Sequence, residues 1–168
     1  RLAQGFSVGA SRVEDDMLDT AKSILVKASE HECKIILPID AVVASELAEG
    51  VETDVVDINA VPEDKMILDI GPGSADAIAN AMARCRSVLW NGPLGAFETA
   101  PFDTSTVLLA GTTAALTEAG RLVSVAGGGD TVAALSHAKV ADKLTYVSTA
   151  GGAFLEWLEG KTLPGLAI

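Results

Sequence analysis

The chain has 168 residues, of which 49% are hydrophobic and 21% charged, and its formal net charge is −11. This length suffices for one domain with a substantial core, and the hydrophobic content excludes a largely disordered protein. The acidic balance disfavours nucleic acid and anionic membranes as partners, and no apolar run approaches the roughly 18 residues of a membrane-spanning helix. A polyanionic ligand would therefore need local backbone donors.

The chain begins with Arg1 rather than methionine, so we expect it to be a piece of a longer protein. Its N-terminus has no basic region followed by an apolar one, which disfavours a secretory signal and favours a cytoplasmic location. Cys33 and Cys85 follow no metal-ligand spacing, so we expect both to be small buried hydrophobic side chains. His31 and His137 are expected to be ordinary surface residues.

The first elements are predicted to be a helix and a strand. Ser11 and Glu14 form a capping-box pattern with Ser11 as the N-cap, and apolar residues then recur at helical spacing over residues 17–30. Residues 34–37 form a short apolar run that Pro38 ends, which indicates a strand.

The middle of the chain continues with short strands. Residues 54–58 indicate a minor extended segment, and residues 66–70 an apolar strand closed by a Gly-Pro-Gly turn. Ser74 is placed to cap the helix that follows. Residues 87–90 indicate a further strand, closed by an Asn-Gly-Pro turn.

The last elements repeat the strand–helix order. We expect a helix over residues 103–118, a strand over 121–126, a strand over 145–148 and a helix over 153–159. Continuous apolar strands that alternate with helices predict an α/β fold, a doubly wound parallel sheet in a three-layer, Rossmann-like α/β/α arrangement. Ligands bind beyond the carboxyl ends of such strands, and the glycine clusters of this chain fall there.

A triple glycine, residues 127–129, lies between the strand over 121–126 and a helix-prone stretch, and Asp130 follows it. Backbone without Cβ atoms can approach a ligand closely, and a helix start offers free N–H groups and a positive dipole end to an anion. Asp130 can cap this helix, hold a metal ion, or do both. The simpler alternative is a tight strand–helix turn. P-loop and dinucleotide-binding glycine patterns are absent from the sequence.

Five segments in order resemble the signature motifs of the phosphoglycerate kinase family. They are LPIDAVVA at residues 37–44, DIGP at 69–72, WNGPLGAFE at 90–98, GGGDT at 127–131, and STAGGA with LEWLEGKTLPG at 148–165. Their order and spacing agree from about Leu2 to the end of the chain, which argues against coincidence. Ala150 departs from the family pattern, because a glycine stands there in the family.

The resemblance implies the later part of the nucleotide-binding domain of a two-domain enzyme. Residues 1–168 would form one partial domain, incomplete relative to the parent. The N-terminal substrate domain, whose basic patch with a catalytic arginine binds 3-phosphoglycerate, would be absent, and so would the early segment with a catalytic lysine. The parent protein is expected to be a monomer that binds neither nucleic acid nor membranes.

The resemblance also assigns roles to individual residues. Asp130 would hold the Mg²⁺ that bridges the phosphates of ATP or ADP. The phosphoryl groups would meet backbone or hydroxyl donors around the triple glycine, namely Gly127, Gly128, Gly129 and Thr131. The transfer site would be lined by a second glycine pair, Gly151 and Gly152.

The segment over residues 91–98 would form the wall of the nucleotide site. Asn91 would contact phosphate oxygens, or alternatively form only an Asx turn. Glu98 would accept hydrogen bonds from the ribose hydroxyls, or be a solvated acid. The wall itself would be shaped by Gly92, Pro93 and Gly95.

The implied reaction is the reversible transfer of a phosphoryl group from 1,3-bisphosphoglycerate to Mg-ADP in glycolysis, which gives ATP and 3-phosphoglycerate. Because the basic groups that face the moving phosphoryl group are not in this chain, we expect the isolated chain to be inactive and to bind nucleotide weakly. The alternative is a non-catalytic nucleotide-binding or complementation fragment that needs the missing portion.

Overall fold

The computed structural model describes residues 2–148, 152–153, 156 and 159–163. Short 3₁₀ turns cover Leu2–Gln4, Asp15–Met17 and Ala141–Lys143. The helices are α1 (Leu18–Glu30), α2 (Pro72–Met82), α3 (Thr104–Glu118) and α4 (Gly129–His137). The strands are β1 (Asp40–Ala44), β2 (Asp54–Asp57), β3 (Met66–Ile70), β4 (Ser87–Asn91), β5 (Val123–Gly127) and β6 (Tyr146–Ser148).

The second half of the described chain is a parallel sheet with crossover helices. Its strand order is β4-β5-β6, and α3 and α4 connect the strands in turn. Ser124 and Ala126 of β5 are fully buried, and the Thr117 hydroxyl of α3 lies 2.8 Å from the Ser124 hydroxyl. Leu109 and Leu135 extend this core into α3 and α4. The predicted α/β fold, with a parallel sheet and flanking helices, is confirmed.

One face of the parallel sheet carries exposed apolar side chains. Leu89 is 44% exposed, Val123 is 52% exposed and Tyr146 is 60% exposed, and all three alternate along their strands with half-buried or buried residues. In most parallel sheets helices cover both faces. In residues 2–148, α3 and α4 pack on the face opposite to these three side chains.

The first half contains an antiparallel sheet that was not predicted. Its order is β2-β1-β3, and the central strand β1 pairs with both neighbours. Ala41 and Val43 are fully buried there. The strand predicted over residues 34–37 is wrong, because β1 begins after Pro38 and Ile35 and Ile36 are 37% and 39% exposed without a strand assignment. An apolar run becomes a strand only where another strand accepts its hydrogen bonds.

Asp40, rather than Ser74, caps helix α2. The helix begins at Pro72, and the N–H groups of Gly73 and Ser74 donate to the Asp40 carboxylate at 2.8 and 2.7 Å. Burial alone would raise the pKa of Asp40, but the hydrogen bonds from Ser74 and Gly73 outweigh it and lower this pKa. The Ser74 hydroxyl oxygen instead accepts from the N–H of Ile39 at 2.9 Å, which ties the helix start to the β1 strand entry.

Three local predictions near the surface are also wrong. Helix α1 begins at Leu18 after a 3₁₀ turn, and Ser11 does not cap it, because its hydroxyl oxygen accepts from the N–H of Ile67 at 2.9 Å. Cys33 and Cys85 are exposed, since both follow the ends of helices rather than lie within a packed face.

Among the described residues, no helix is long and apolar enough to cross a membrane.

Candidate functional site

The carboxyl ends of the three parallel strands meet at one edge of the sheet. Asn91, the last residue of β4, is the register partner of Gly127, the last residue of β5. Gly127 in turn is paired with Ser148 at the end of β6. The Asn-Gly-Pro turn and the triple glycine, predicted separately from the sequence, therefore lie side by side.

Gly128 makes the transition from strand β5 to helix α4. Its φ of 103° and ψ of 143° lie in a region that L side chains rarely adopt. A Cβ atom at Gly128 would meet only ordinary contacts, with Thr131 Oγ1 at 3.4 Å and Asn91 Oδ1 at 3.8 Å. Backbone conformation, not lack of space, is thus the reason for glycine here.

Gly129, the first residue of α4, presents an open backbone surface. A Cβ atom placed on it would find no heavy atom within 4 Å. The first N–H groups of a helix have no partner within the helix, and they carry the positive end of its dipole. Open space at the start of α4 is the local condition that an anion site requires.

Asp130 is the second residue of α4, and its side chain is exposed. It makes no capping hydrogen bond, and Gly128 occupies the N-cap position, so the capping alternative for Asp130 is wrong. The carboxylate is available in the first turn of the helix. Mg²⁺ is commonly held by one or two carboxylates together with phosphate oxygens and waters, so this single exposed acid fits that ion.

Thr131 joins the two loops of the site. Its side chain is 1% exposed, and the N–H of Gly92 donates to its hydroxyl oxygen at 2.7 Å. The indole N–H of Trp90 donates to the Gly92 carbonyl at 2.7 Å. Sequence reasoning anticipated a phosphate donor at Thr131 and missed its contact with Gly92, because residues 39 positions apart share no local pattern.

Gly95 packs directly on a buried acid. A Cβ atom at Gly95 would lie 2.6 Å from both Asp69 Oδ1 and the Phe102 carbonyl oxygen. Asp69 is 2% exposed and accepts hydrogen bonds from the N–H groups of Ile70 at 2.8 Å and Ser105 at 3.0 Å. Burial raises the pKa of Asp69, although these hydrogen bonds oppose the increase.

Asp69 was not predicted as a site residue, yet the loop over residues 92–103 packs against it at Gly95. Asp69 binds the first turn of α3 from one side, and the N–H of Ala96 donates to the Leu68 carbonyl at 2.8 Å beside it. An acid inside an otherwise apolar strand is the sequence signal that could have found it. A cavity of about 360 Å³ opens here, lined by Ile67, Leu68, Asp69, Ile70, Gly95 and Ala96.

The remaining predicted residues are placed as follows. Pro93 is partly buried in the turn after β4, and Glu98 is exposed in the following loop. Gly152 is helical, and a Cβ on it would meet nothing within 4 Å. Gly151 and Ala150 lie outside the described residues, as does most of the helix predicted over residues 153–159.

Three comparisons with known proteins agree with one another. A family model for phosphoglycerate kinase matches residues 1–161. The phosphoglycerate kinase of Rhizobium meliloti (strain 1021) is 61% identical over 166 residues, which are 99% of this chain and 42% of that protein. The phosphoglycerate kinase of Jannaschia sp. (strain CCS1) is 58% identical over 165 residues, 98% of this chain and 42% of that protein.

Solved structures give the same relationship. The structure of phosphoglycerate kinase from Coxiella burnetii superimposes with a TM-score of 0.90 at 44% identity, covering 95% of this chain and 41% of that one. Phosphoglycerate kinase from Pyrococcus horikoshii OT3 gives a TM-score of 0.67 at 27% identity, covering 98% and 40%. The chain spans about 42% of the length of the curated relatives it matches.

Proposed function

Because this chain belongs to the phosphoglycerate kinase family, we propose that it forms the Mg-nucleotide half of the active site of such a kinase. The whole reaction would be the reversible transfer of a phosphoryl group from 1,3-bisphosphoglycerate to Mg-ADP. The observation that carries the proposal is the register pairing of Asn91 with Gly127, reinforced by the hydrogen bond between Gly92 and Thr131. It brings the two glycine-rich loops to one edge of the sheet.

The start of α4 is proposed to receive the phosphates. Backbone N–H groups at Gly129 and Asp130, together with the helix dipole, would neutralise phosphate charge. They would do so although the net negative charge of the chain opposes the binding of an anion. Gly128 would keep the approach free of a side chain. Phosphoryl transfer depends mainly on positioning and on neutralising charge, which preorganised backbone groups can supply.

Asp130 is proposed as the protein ligand of Mg²⁺, which would neutralise charge on the phosphates. Asp130 follows Gly129 in the first turn of α4 and its side chain is exposed, so metal and phosphate would meet at one helix end. Asn91 would contact phosphate oxygens from the neighbouring strand end. Glu98 would accept hydrogen bonds from the ribose hydroxyls.

We further propose that 3-phosphoglycerate and the groups that bind it belong to the part of the relatives that this chain does not span. Removal of one preorganised donor typically lowers kcat by about 10²–10³, and here a whole facing set would be missing. The isolated chain is therefore expected to show no turnover.

A second function, that of a complementation fragment, is favoured by the exposed apolar face of the parallel sheet. Leu89, Val123 and Tyr146 would be covered only when the rest of the nucleotide domain is present. Mixing this chain with the remaining portion of the Rhizobium meliloti relative should then restore turnover that neither piece shows alone. Absence of restored turnover would count against this function.

The kinase proposal is tested in a grafted enzyme, the Rhizobium meliloti relative in which the matching 166-residue segment is replaced by this chain. Asp130→Asn should lower its kcat by about 100-fold or more. Asp76→Asn removes one exposed acid from another helix and should leave kcat unchanged. Normal Mg²⁺-dependent turnover of the Asp130→Asn variant would overturn the assignment.

Nucleotide binding by the chain alone is measured by titration calorimetry with Mg-ADP. Weak binding is expected, because the proposal assigns only one wall of the site to this chain. A dissociation constant in the low micromolar range, or turnover by the isolated chain in a coupled assay, would contradict the proposal that this chain supplies only the Mg-nucleotide half of the active site.

A further inference from the structure

His137, the last residue of α4, contacts the loop that carries Glu98. Its Nε2 atom lies 2.8 Å from Asp103 Oδ2, and its ring meets the Phe97 ring edge-on, with centroids 6.5 Å apart and an interplanar angle of 75°. The side chain of Asp103 is only 22% exposed. The sequence predicted an ordinary surface histidine, but the structure gives it two specific partners on another element.

We propose that His137 and Asp103 form a positioning pair that holds the loop over residues 96–103, and with it Glu98, at a fixed place relative to the triple glycine at residues 127–129. This inference rests on the proposed function, since it requires Glu98 to contact the ribose. His137 itself would touch neither nucleotide nor substrate.

Helix α4 supplies the mechanical link. It is continuous from Gly129 to His137, so its two ends are separated by roughly 12 Å at the rise of an α-helix. Its first turn would bind the phosphates, and its last residue binds the loop beside the ribose residue. One rigid element therefore sets the distance between the phosphate and ribose contacts.

The loop is anchored firmly at its ends, and Phe102, just before Asp103, is fully buried with its N–H bonded to the Thr99 carbonyl at 2.9 Å. The Ala96 N–H is bonded to Leu68, and the first turn of α3 is bonded to the buried Asp69. Between these anchors, the Thr99 N–H donates to the Ala96 carbonyl at 2.9 Å within the loop itself. The contact of Phe97 with His137 fixes the residue immediately before Glu98 to a different element.

The test uses the grafted enzyme, assayed with ATP and 3-phosphoglycerate. His137→Ala should raise the KM for ATP by roughly three- to fivefold and leave kcat and the KM for 3-phosphoglycerate unchanged. It should also reduce the discrimination between ATP and 2′-deoxy-ATP, which a merely structural defect would not change. His137→Gln keeps a donor within reach of Asp103. It should therefore retain most of the wild-type KM for ATP and most of the discrimination against 2′-deoxy-ATP.

Two controls separate this inference from its premise. His31→Ala removes the other histidine, at the end of α1, and should change none of these constants. In a Glu98→Gln background, His137→Ala should add no further increase in the KM for ATP, because the residue that it positions is already disabled.

The outcomes are distinguishable. If Glu98→Gln raises the KM for ATP and His137→Ala does not, the positioning inference is overturned while the proposed function stands. If Glu98→Gln changes neither the KM nor the ribose discrimination, the proposed ribose contact fails and this inference fails with it. A full additive effect of the two substitutions would also overturn positioning through Glu98. Thermal unfolding of each variant excludes loss of folded protein as the cause.

Discussion

The backbone N–H of Gly92 donates a hydrogen bond to the buried hydroxyl of Thr131 at 2.7 Å, across 39 positions of sequence. It joins the turn after β4 to the first helical turn after β5. One side chain therefore holds together the two loops proposed to bind the ligand. The Thr131 hydroxyl oxygen already accepts a hydrogen bond within the protein, so it is not available to a ligand alone.

Thr131→Val should destabilise this connection. Valine fills the same volume but leaves the Gly92 N–H without its acceptor, at an expected cost of about 1–2 kcal/mol in the free energy of unfolding. Denaturant unfolding of the chain measures the loss. Thr131→Ser keeps the hydroxyl oxygen and is the matched control; equal losses in the two variants would mean that the hydrogen bond contributes nothing.

Gly95→Ala should be more destabilising than Gly92→Ala. Both residues have positive φ, 60° and 86°, so each alanine carries a backbone penalty of about 1–2 kcal/mol. Only at Gly95 does the new Cβ also overlap Asp69 and the Phe102 carbonyl, whereas nothing lies within 4 Å at Gly92. The difference in melting temperature between the two variants isolates the overlap, and no difference would refute the close packing on Asp69.

Gly129→Ala should separate stability from binding. The new methyl group meets no protein atom within 4 Å, and alanine suits a helix better than glycine, so the melting temperature should stay the same or rise. The same methyl would stand in the proposed path of the phosphates. The KM for ATP of the grafted enzyme should therefore increase, and an unchanged KM would place the phosphates elsewhere.

Asp40→Asn should weaken the start of α2 in a pH-dependent way. The Asp40 pKa is lowered in the folded protein, so its ionised form stabilises the fold above the unfolded value of 3.8. That stabilisation is lost as the pH falls below 3.8 through the lowered pKa. We expect the variant to be about 1 kcal/mol less stable at neutral pH.

The check is unfolding of both proteins over a range of pH. The difference between wild type and Asp40→Asn should be constant near neutrality and should shrink only below pH 3.8. A difference that persists unchanged in strong acid would show that lost geometry, rather than lost charge, causes the defect.

The sequence predicted the parallel half of the fold well because its signals are local. An apolar strand that contains Trp90 is followed by a glycine turn and a helix, and the strand that contains Ala126 is followed by the same elements. This repetition predicts α/β packing. The edge position of the candidate site follows too, since parallel strands end on the same side. These inferences required no knowledge of which distant residues meet.

The failures share the opposite cause. Whether residues 34–37 or β1 became a strand depended on the neighbouring strands β2 and β3. The residues of β2 and β3 do not alternate clearly between buried and exposed positions. Ser11 and Ser74 each looked like a helix cap, but each hydroxyl is committed to a backbone group outside the helix that it was expected to cap. Asp69 and His137 acquired their partners only through tertiary contact.

The exposed side of the parallel sheet has a consequence for biosynthesis. If the layer that covers Leu89, Val123 and Tyr146 belongs to the residues that precede this segment in a full-length family enzyme, it leaves the ribosome first and can be in place when they fold. A chain made without that layer exposes the same side chains to other copies of itself as soon as it folds. Order of synthesis, as well as sequence, would then decide whether these residues pack against their native partners or cause aggregation.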